Sequence, residues 1–444
     1  MSKTSVRVLA AASVLALAAA CGSGSSGSGG GGSSSNSGGN TASAPGVTAT
    51  TVTIGSHQPL TGIAAPGYSE IAPASKAYFD WVNAHGGVNG RKIIYKYLDD
   101  AYDPSKTVNV VKQLVVQDKV FGIFNGLGTP THEQVLNFLN SQQIPDLFVA
   151  SGCLCWNQPS KYPETFGWQP DYTVEGKILG KYIADKFHGQ KIAIFAQNDD
   201  FGKNGVKGLQ DEVPASQIAT TQYYDPTNTT ITPLVQKLQN SGAKVVVSFS
   251  VPAFTALLML TSGELHFAPQ LVVSNVGSDP ITLSGLLESF AKQGGATVNG
   301  QQLIQGIITD GYLPSSADPS NSWIKLFKKV LAKYDPKAPL DGNTEYGMAA
   351  AYTFVQALQA AGQNPTRQSL VQAVEQSHFT GPALVPFAYS SSSHAGMTGT
   401  QMGVIHGLSV HYTGQPETTD DGNGPITPYT TAPPTAPANG VPTG

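Results

Sequence analysis

The sequence predicts an α/β protein with two lobes, each organised around a parallel sheet. The chain has 444 residues. Both of its ends are biased in composition, which leaves roughly 370 globular residues, too many for one hydrophobic core. Within that part, strand-like apolar runs alternate with helix-like segments, a pattern typical of parallel sheets. The alternation occurs twice, before and after Trp168, so we expect two lobes of similar organisation.

Composition excludes some classes of partner. Charged residues make up 12% of the chain and the net charge is −4, whereas an average soluble chain is about 25% charged. Lys and Arg are not clustered. We therefore expect neither a nucleic-acid partner nor electrostatic binding to a membrane surface.

The first residues predict export. Residues 1–20 have a charged start at Lys3 and Arg7 and an apolar run too short to span a bilayer. They end in "LALAAAC", which resembles the lipobox of bacterial lipoproteins and implies acylation of Cys21. The alternative is cleavage after "AAA" and free secretion. Residues 21–46 would then form a lipidated Gly/Ser linker, a flexible tether.

The first lobe begins with the strand "TVTIG" and a polar loop. Ile71, Ala74, Tyr78 and Val82 then recur at helical spacing until Gly86 ends the helix. The strand "KIIYKYLDD" and the helix "DPSKTVNVVKQLVVQD" follow.

The next stretch, 119–156, predicts half of a binding site. The strand "KVFGIF" leads through Gly126 and Gly128 into a helix, with Thr129 as N-cap and Pro130 as first helical residue. The strand "DLFVA" follows and ends in "SGC". Two neighbouring parallel strands would thus end in small polar turns, where open α/β sheets bind ligands.

A second series follows Trp168. It contains helices such as "TVEGKILGKYIADKF" and "FGKNGVKGLQDEV", and the strands "KIAIFA", "ATTQYY", "AKVVVSF", "QLVVSN" and "LIQGIITDG". Helices near 320–334, 344–361 and 367–376 come next, and then a strand pair within 383–412. Residues 415–444, rich in Thr, Pro and Gly, predict a disordered tail.

Two long motifs carry a resemblance to a known family. "VNAHGGVNGRKIIYKYLDDAYDPSKTVNVVKQLV" and "KIAIFAQNDDFGKNGVKGL" resemble the type I periplasmic binding proteins. They are most similar to the leucine/isoleucine/valine-binding type, the receptors of branched-chain amino acid ABC importers. The resemblance covers 47–414. It implies an α/β fold of two Rossmann-like lobes with parallel sheets, joined by three hinge crossings and closing over one small ligand.

The resemblance also implies domain boundaries. The crossings fall near 167–171, 306–311 and 380–385. Lobe 1 would comprise 47–168 and 307–381, and lobe 2 would comprise 169–306 and 382–414.

The family's ligand contacts fall on matching positions of this chain. In the first lobe, which holds the ligand's carboxylate, they are Gly128, Thr129, Ala150, Ser151 and Gly152. In the second lobe an aromatic ring over the ligand falls on Phe201, with Tyr172 as a nearby candidate. Another family aromatic aligns near Val251, where that contact is lost.

One position departs from the family. Amino-acid-binding members place a carboxylate for the ligand's ammonium where this chain has Asn275. A buried ammonium without a charged partner is costly. Either Asp279, Asp171 or another acid substitutes, or the ligand is an organic acid, aromatic acid or amide without an α-amine.

Some of these residues also have structural interpretations. Thr129 and Ser151 also suit caps and turns. Asp199 and Asp200 are interpreted as turn and cap residues rather than acid–base catalysts. Cys153 and Cys155 are expected either as a disulfide, permitted in an oxidising compartment, or as free thiols.

We expect neither a metal nor a cofactor, since two thiols lack the further Cys or His that zinc requires. Neither "GxSxG" nor "GxxxxGK[ST]" occurs, and no nucleophile with an adjacent base is visible, as a hydrolase on this scaffold would need. The prediction is an exported, membrane-anchored, monomeric solute receptor that serves an ABC permease. A ligand sensor for a membrane signalling partner is the alternative.

Overall fold

The computed structural model describes residues 39–443. The predicted signal peptide, the lipidation site Cys21 and most of the Gly/Ser linker lie outside these residues. Two sheets with flanking helices form the two lobes. No helix of the described part is both long enough and apolar enough to cross a bilayer.

The first sheet is parallel, as the alternation of strands and helices predicts. Its strands are β1 (Thr51–Gln58), β2 (Lys92–Asp99), β3 (Ile123–Phe124), β4 (Asp146–Val149) and β5 (Thr165–Gly167). They lie in the order β2-β1-β3-β4-β5. The connection after β1 leads to β2 on one side of the sheet, and the connection after β3 leads to β4 on the other side. The two loops therefore diverge and leave a crevice at the carboxyl edge.

The second sheet repeats this order and then extends it. Its strands are β6 (Ile192–Gln197), β7 (Ile218–Tyr224), β8 (Val245–Phe249), β9 (Gln270–Val273), β10 (Ile308–Gly311), β11 (Gly399–His406), β12 (Ser409–Tyr412), β13 (Glu417–Thr418) and β14 (Thr427–Pro428). The parallel part runs β7-β6-β8-β9-β10, and β11 joins β10 antiparallel. The second sheet is therefore mixed, whereas the sequence predicted a parallel one.

Helices cover both sheets. They are α1 (Ala65–Tyr68), α2 (Ile71–Ala84), α3 (Pro104–Lys112, continued by a π-helical turn), α4 (Thr129–Ser141), α5 (Tyr172–Lys186), α6 (Asp200–Glu212), α7 (Thr232–Asn240), α8 (Pro252–Glu264), α9 (Pro280–Gln293), α10 (Gly300–Leu303), α11 (Ser322–Tyr334), α12 (Gly342–Ala360) and α13 (Arg367–Gln376). Helix α12 packs on α2, where Ser75 Oγ donates to the Gly347 carbonyl at 2.8 Å. The helices after β10 thus belong to the first lobe, as the resemblance implies.

The core sits between sheets and helices in each lobe. Phe79, Phe124 and Phe354 meet edge to face in the first lobe, with ring centroids 5.2–5.8 Å apart. In the second lobe every residue of β6 and β8 is buried, as expected for central strands covered on both faces.

The chain passes between the lobes three times. The first crossing joins β5 to α5 and the third lies between α13 and β11. The second crossing, predicted near 306–311, lies later. Residues 308–311 form β10, which pairs with β9 and β11, so the chain leaves the second lobe only after Gly311.

The predicted disordered tail is wrong for its described part. Strand β13 pairs with β11. Further on, Trp323 Nε1 donates to the Pro434 carbonyl at 2.6 Å, and the side chain of Val441 is buried. The end of the predicted linker is also bound, since Thr41 N–H donates to Asn364 Oδ1 at 2.9 Å. A polar composition does not reveal these contacts, because backbone groups make them.

Candidate ligand-binding cleft

A cavity of about 170 Å³ lies between the two lobes. Its walls include residues that follow β3, β4, β8 and β9, together with the end of β10. This is the carboxyl edge of both sheets, where ligands of open α/β folds bind. Pockets for drug-sized ligands measure about 300–1,000 Å³, so the cavity suits a smaller molecule.

Most of the sequence-predicted contacts line this cavity. They are Gly128, Thr129, Ala150, Tyr172, Phe201 and Asn275. Ser151 and Gly152, which follow Ala150 in the chain, are not among the lining residues. The hydroxyls of Ser151 and Thr129 are 2.7 Å apart, and the Gly152 carbonyl accepts from Tyr172 N–H at 2.7 Å.

The turn before α4 requires glycine. Gly128 has φ +103°, and a Cβ there would come within 2.5 Å of both Thr131 Oγ1 and the Tyr102 ring. Gly128 is the N-cap, and α4 begins at Thr129, whereas Thr129 was predicted as the cap. The Thr129 hydroxyl is therefore free of capping, and the first N–H groups of α4 have no partner within the helix.

Two aromatic rings of the second lobe stand over the cavity together. Tyr172 is the first residue of α5 and Phe201 is the second of α6, after the capping residues Asp171 and Asp199, and their ring centroids are 4.4 Å apart. Burial raises the pKa of Tyr172 to about 12, so its phenol stays neutral at physiological pH. Val251 also lines the cavity, with an aliphatic side chain where the resemblance implies an aromatic one.

Asn275, at the position where the resemblance implies a carboxylate, contacts two acidic side chains. Its Nδ2 and backbone N–H donate to Glu175 Oε1 at 2.8 and 2.9 Å. The same N–H also lies 3.1 Å from Asp310 Oδ1. Sequence reasoning missed both acids. Asp310 is the last residue but one of the buried strand β10, and an acid near the end of a buried strand is a signal that would have found it.

The two acids proposed as substitutes have other partners. Asp171 does not line the cavity and caps α5 by accepting from Thr173 and Val174 N–H. Asp279 lines it, but Oδ1 accepts from Thr282 N–H at 2.8 Å and Oδ2 from Gly342 N–H at 3.0 Å.

Burial dominates the electrostatics of the cleft. It raises the pKa of Asp310 to about 6. It also raises the pKa of Glu175 well above the usual range, and the neighbouring Asp310 charge adds to this shift. Glu345, in the first turn of α12, likewise has its pKa raised well above the usual range, first by burial and then by Asp341 and Asp279.

Hydrogen bonds join the lobes across the cleft. Tyr68 Oη of the first lobe donates to the Val276 carbonyl of the second at 2.8 Å. Gly342 N–H donates to Asp279 as described above, and Asn343 Nδ2 donates to Thr282 Oγ1 at 3.0 Å. The lobes therefore meet around the cavity rather than standing apart.

Cys153 and Cys155 form a disulfide beside the first-lobe turns, one of the two predicted states. Ligand atoms of these cysteines lie within 4.8 Å of those of Glu133 and Asp200. Because the two sulfurs are bonded to each other, neither is a thiolate that would ligate a metal.

Four buried side chains form a hydrogen-bonded chain next to the first-lobe turns. The sequence analysis did not predict it. His57 Nδ1 lies 2.7 Å from Asp100 Oδ2, and His57 Nε2 lies 2.8 Å from His132 Nδ1. His132 Nε2 lies 2.7 Å from Asp146 Oδ2. A proton is needed between the two ring nitrogens at 2.8 Å, since two lone pairs would repel. The chain fixes β1, β4 and α4 relative to one another.

Comparison with known proteins identifies the family. The family model described as "Periplasmic binding protein" matches residues 51–406, most of the chain. The chain therefore belongs to the periplasmic binding protein family, whose members are extracytoplasmic solute-binding proteins.

Individual relatives agree with this assignment. The Leu/Ile/Val-binding protein homolog 2 of Brucella abortus (strain 2308) is 27% identical over 342 residues, covering 72% of this chain and 81% of that protein.

Solved structures confirm the fold. A branched chain amino acid ABC transporter protein from Thermus thermophilus with bound valine superposes with a TM-score of 0.72 at 20% identity, covering 84% of this chain and 97% of that one. A solute binding protein of R. palustris in complex with 4-hydroxybenzoate gives a TM-score of 0.67 at 18% identity, covering 82% and 96%. The fold is that of the type I periplasmic binding proteins.

Proposed function

We propose that this chain is the solute-binding lipoprotein of an ABC importer, which binds a branched-chain amino acid or a similar small carboxylate or amide. The observation that carries the proposal is the cavity between the lobes, where the turns at Gly128 and Ala150 face Tyr172 and Phe201. The name of the Brucella relative supports the ligand class.

The mechanism is hinge closure without catalysis. The ligand docks on the first-lobe turns, where helix-start N–H groups and the Thr129 hydroxyl hold its acidic end. The second lobe then covers it. Closure is a population shift, driven only by contacts that the ligand makes better in the closed form. The permease would recognise that form.

The test is a thermal-shift and calorimetric screen of the mature chain against leucine, isoleucine, valine, their amides and small carboxylates. A ligand that binds only the native state at 100 times its Kd stabilises it by about 2.7 kcal/mol, so the melting temperature rises. The compound should be recovered chemically unchanged. If no compound of these classes binds, or if the bound one is turned over, the proposal fails.

An aromatic or organic acid without an α-amine is the second candidate. Asn275 stands where an acid is expected, and the R. palustris neighbour is in complex with 4-hydroxybenzoate. Including 4-hydroxybenzoate in the same screen discriminates the two. A sensor role is distinguished by cross-linking the ligand-bound chain in cells and identifying a kinase rather than a permease.

The lipid anchor is tested separately. Cys21→Ala should move the protein from the membrane fraction to the soluble extracytoplasmic fraction, because it removes the acylated side chain. A Ser23→Ala variant serves as the control. Membrane association of Cys21→Ala would contradict lipid anchoring.

A further inference from the structure

The cavity between the lobes is acidic. Asp279, Asp310 and Glu345 line it, and no Lys, Arg or His does so among the residues that the structure describes. Asp279 is satisfied by two backbone N–H groups. The other two acids are not fully satisfied, and they come from opposite lobes.

Glu345 is the less satisfied of these two acids. Its side chain is 2% exposed, and Oε1 has no hydrogen-bond partner within residues 39–443. Its place in the first turn of α12 suits a carboxylate, since the N-terminal end of a helix carries partial positive charge. That dipole alone does not replace the water that burial removes.

Asp310 is in the same situation on the other lobe. It is 3% exposed, and Oδ2 lacks a donor among the described groups. The raised pKa of the adjacent Glu175 carboxyl keeps that group protonated, so it hydrogen-bonds to Asp310 and leaves Asp310 as the charged member of the pair. A ligand with N–H donors and positive charge would satisfy both unpartnered oxygens.

Aromatic rings complete the cavity wall. Six tyrosines contribute to it: Tyr68, Tyr102, Tyr172, Tyr312, Tyr346 and Tyr412. Tyr412 lies close enough to both acids that Glu345 and Asp310 add to the rise in its pKa that burial causes. Aromatic faces attract ammonium groups, most strongly where water is excluded.

We propose that the ligand carries a protonated amine, held between Glu345 of the first lobe and Asp310 of the second and surrounded by these tyrosine rings. This rests on the proposed solute-binding function and narrows its ligand. The amine is either the α-ammonium of an amino acid or that of a compound without a carboxylate. It takes over the role of the acid that Asn275 replaces.

An organic cation fits this site better than a metal ion. Within the described part of the chain, ligand atoms gathered closely enough for a metal occur at Glu133, Cys153, Cys155 and Asp200, and the cavity acids form no such group. Tyrosine rings around the acids also favour a ligand with apolar surface.

Two matched sets of probes test the amine requirement by thermal shift and calorimetry on the mature chain. One set is leucine, 3-methylbutylamine and 4-methylpentanoate. The other is phenylalanine, 2-phenylethylamine and 3-phenylpropanoate. In each set the first compound has both charged groups, the second only the amine and the third only the carboxylate. We expect binding of amine-bearing compounds and at least tenfold weaker binding of the carboxylates.

Glu345→Gln and Asp310→Asn test the residues. Each should weaken binding of the best amine-bearing probe at least tenfold. Glu345→Gln should also raise the melting temperature of the unliganded protein near pH 7, because it removes a buried carboxyl that must take up a proton on folding. A purely structural role would not move these two readouts in opposite directions. Glu133→Gln is the matched control, since Glu133 is a half-buried acid that does not line the cavity, and it should leave binding unchanged.

The double variant Thr129→Ala, Ser151→Ala distinguishes an amino-acid ligand from an amine that has no carboxylate. The pair should weaken a zwitterionic probe but not a probe that has only an amine. Binding of the carboxylate-only probes as tightly as their amine-bearing partners would overturn the amine proposal and leave solute binding intact. Unchanged affinity in folded Glu345→Gln and Asp310→Asn would overturn it too. If no probe of either set binds, the amino-acid form of the proposed function falls as well.

Discussion

At the scale of single residues, Asn275 shows how the cleft acquires an acid that its local sequence lacks. The position where the resemblance implies a carboxylate is an amide here, and that amide donates to Glu175. Glu175 comes from α5 and its neighbour Asp310 from β10. The acids around Asn275 are therefore supplied by residues distant in the chain.

The Glu345 carboxyl makes stability depend on pH. Its raised pKa means that the folded chain holds a proton that the unfolded chain releases above about pH 4.5. Stability is then lost as pH rises above that value, by up to about 1.4 kcal/mol per pH unit. Buried His57, whose pKa burial lowers, makes stability change with pH in the opposite direction. The effect of Glu345 is therefore isolated by comparing the wild type with Glu345→Gln, since both contain His57.

We therefore expect Glu345→Gln to match the wild type near pH 4.5 and to become progressively more stable than it toward pH 7.5. Urea unfolding of the unliganded proteins across this range measures the difference. A difference that is constant with pH would show that Glu345 is ionised alike in the folded and unfolded chains.

The histidine chain gives a second prediction at this scale. His132→Leu leaves Asp146 buried with only the Thr165 hydroxyl as donor, at 2.9 Å. Leaving a buried acceptor without its donor costs about 1–3 kcal/mol, and more for a charged group, so we expect a loss of about 3 kcal/mol in the free energy of unfolding by urea. His188→Leu, at an exposed histidine, is the control. Equal stability of the two variants would show that the hydrogen-bonded histidine pair does not stabilise the fold.

At the scale of elements, the strongly periodic segments were predictable and their ends were not. Strands β1, β2, β6 and β8 lie within two or three residues of the predicted apolar runs. The start of α4 was misplaced by one residue, because a glycine at φ +103° caps it where a threonine looked sufficient. That single residue frees the Thr129 hydroxyl to meet Ser151.

Gly128→Ala tests the importance of this turn. The new Cβ would clash with Thr131 and Tyr102, and the backbone conformation is one that alanine avoids. We expect a loss of about 2–3 kcal/mol in stability together with weaker ligand binding, measured by urea unfolding and calorimetry. Gly285→Ala in α9, where a Cβ meets nothing within 4 Å, should be neutral or slightly stabilising. Equal effects of both variants would contradict this account of the turn.

At the scale of the whole molecule, the C-terminal segment, residues 415–443, contacts both lobes. On the second lobe, the buried Lys177 ammonium donates to the carbonyls of Asp420, Gly422 and Gly424 at 2.9–3.0 Å. On the first lobe, Tyr78 Oη donates to the Gly440 carbonyl at 2.9 Å. The segment thus bridges the two lobes outside the hinge crossings.

Deleting residues 429–444 tests this bridge. The deletion removes the hydrogen bonds of Tyr78, Trp81 and Trp323 to the segment, each worth about 1 kcal/mol. We expect the free energy of unfolding to fall by about 2–3 kcal/mol in urea titrations. Deleting only Thr443 and Gly444 keeps these contacts and should change little. A full deletion that unfolds like the wild type would mean that the segment is dispensable.

Sequence alone predicts the alternating strands and helices, the doubling into two lobes and most of the cavity-lining residues that follow β3 and β4. These follow from periodicity and from small polar residues at strand ends, which are local signals. The comparisons bear out the family that the motifs resemble.

Four features follow from tertiary packing and are not indicated by the sequence: which acids face the cavity, the pairing of His57 with His132, the position of β10 in the second lobe and the docking of the C-terminal segment. The physical reason is shared by all four. Burial and hydrogen bonding between residues far apart in the chain depend on how elements pack, and neither composition nor periodicity records that packing.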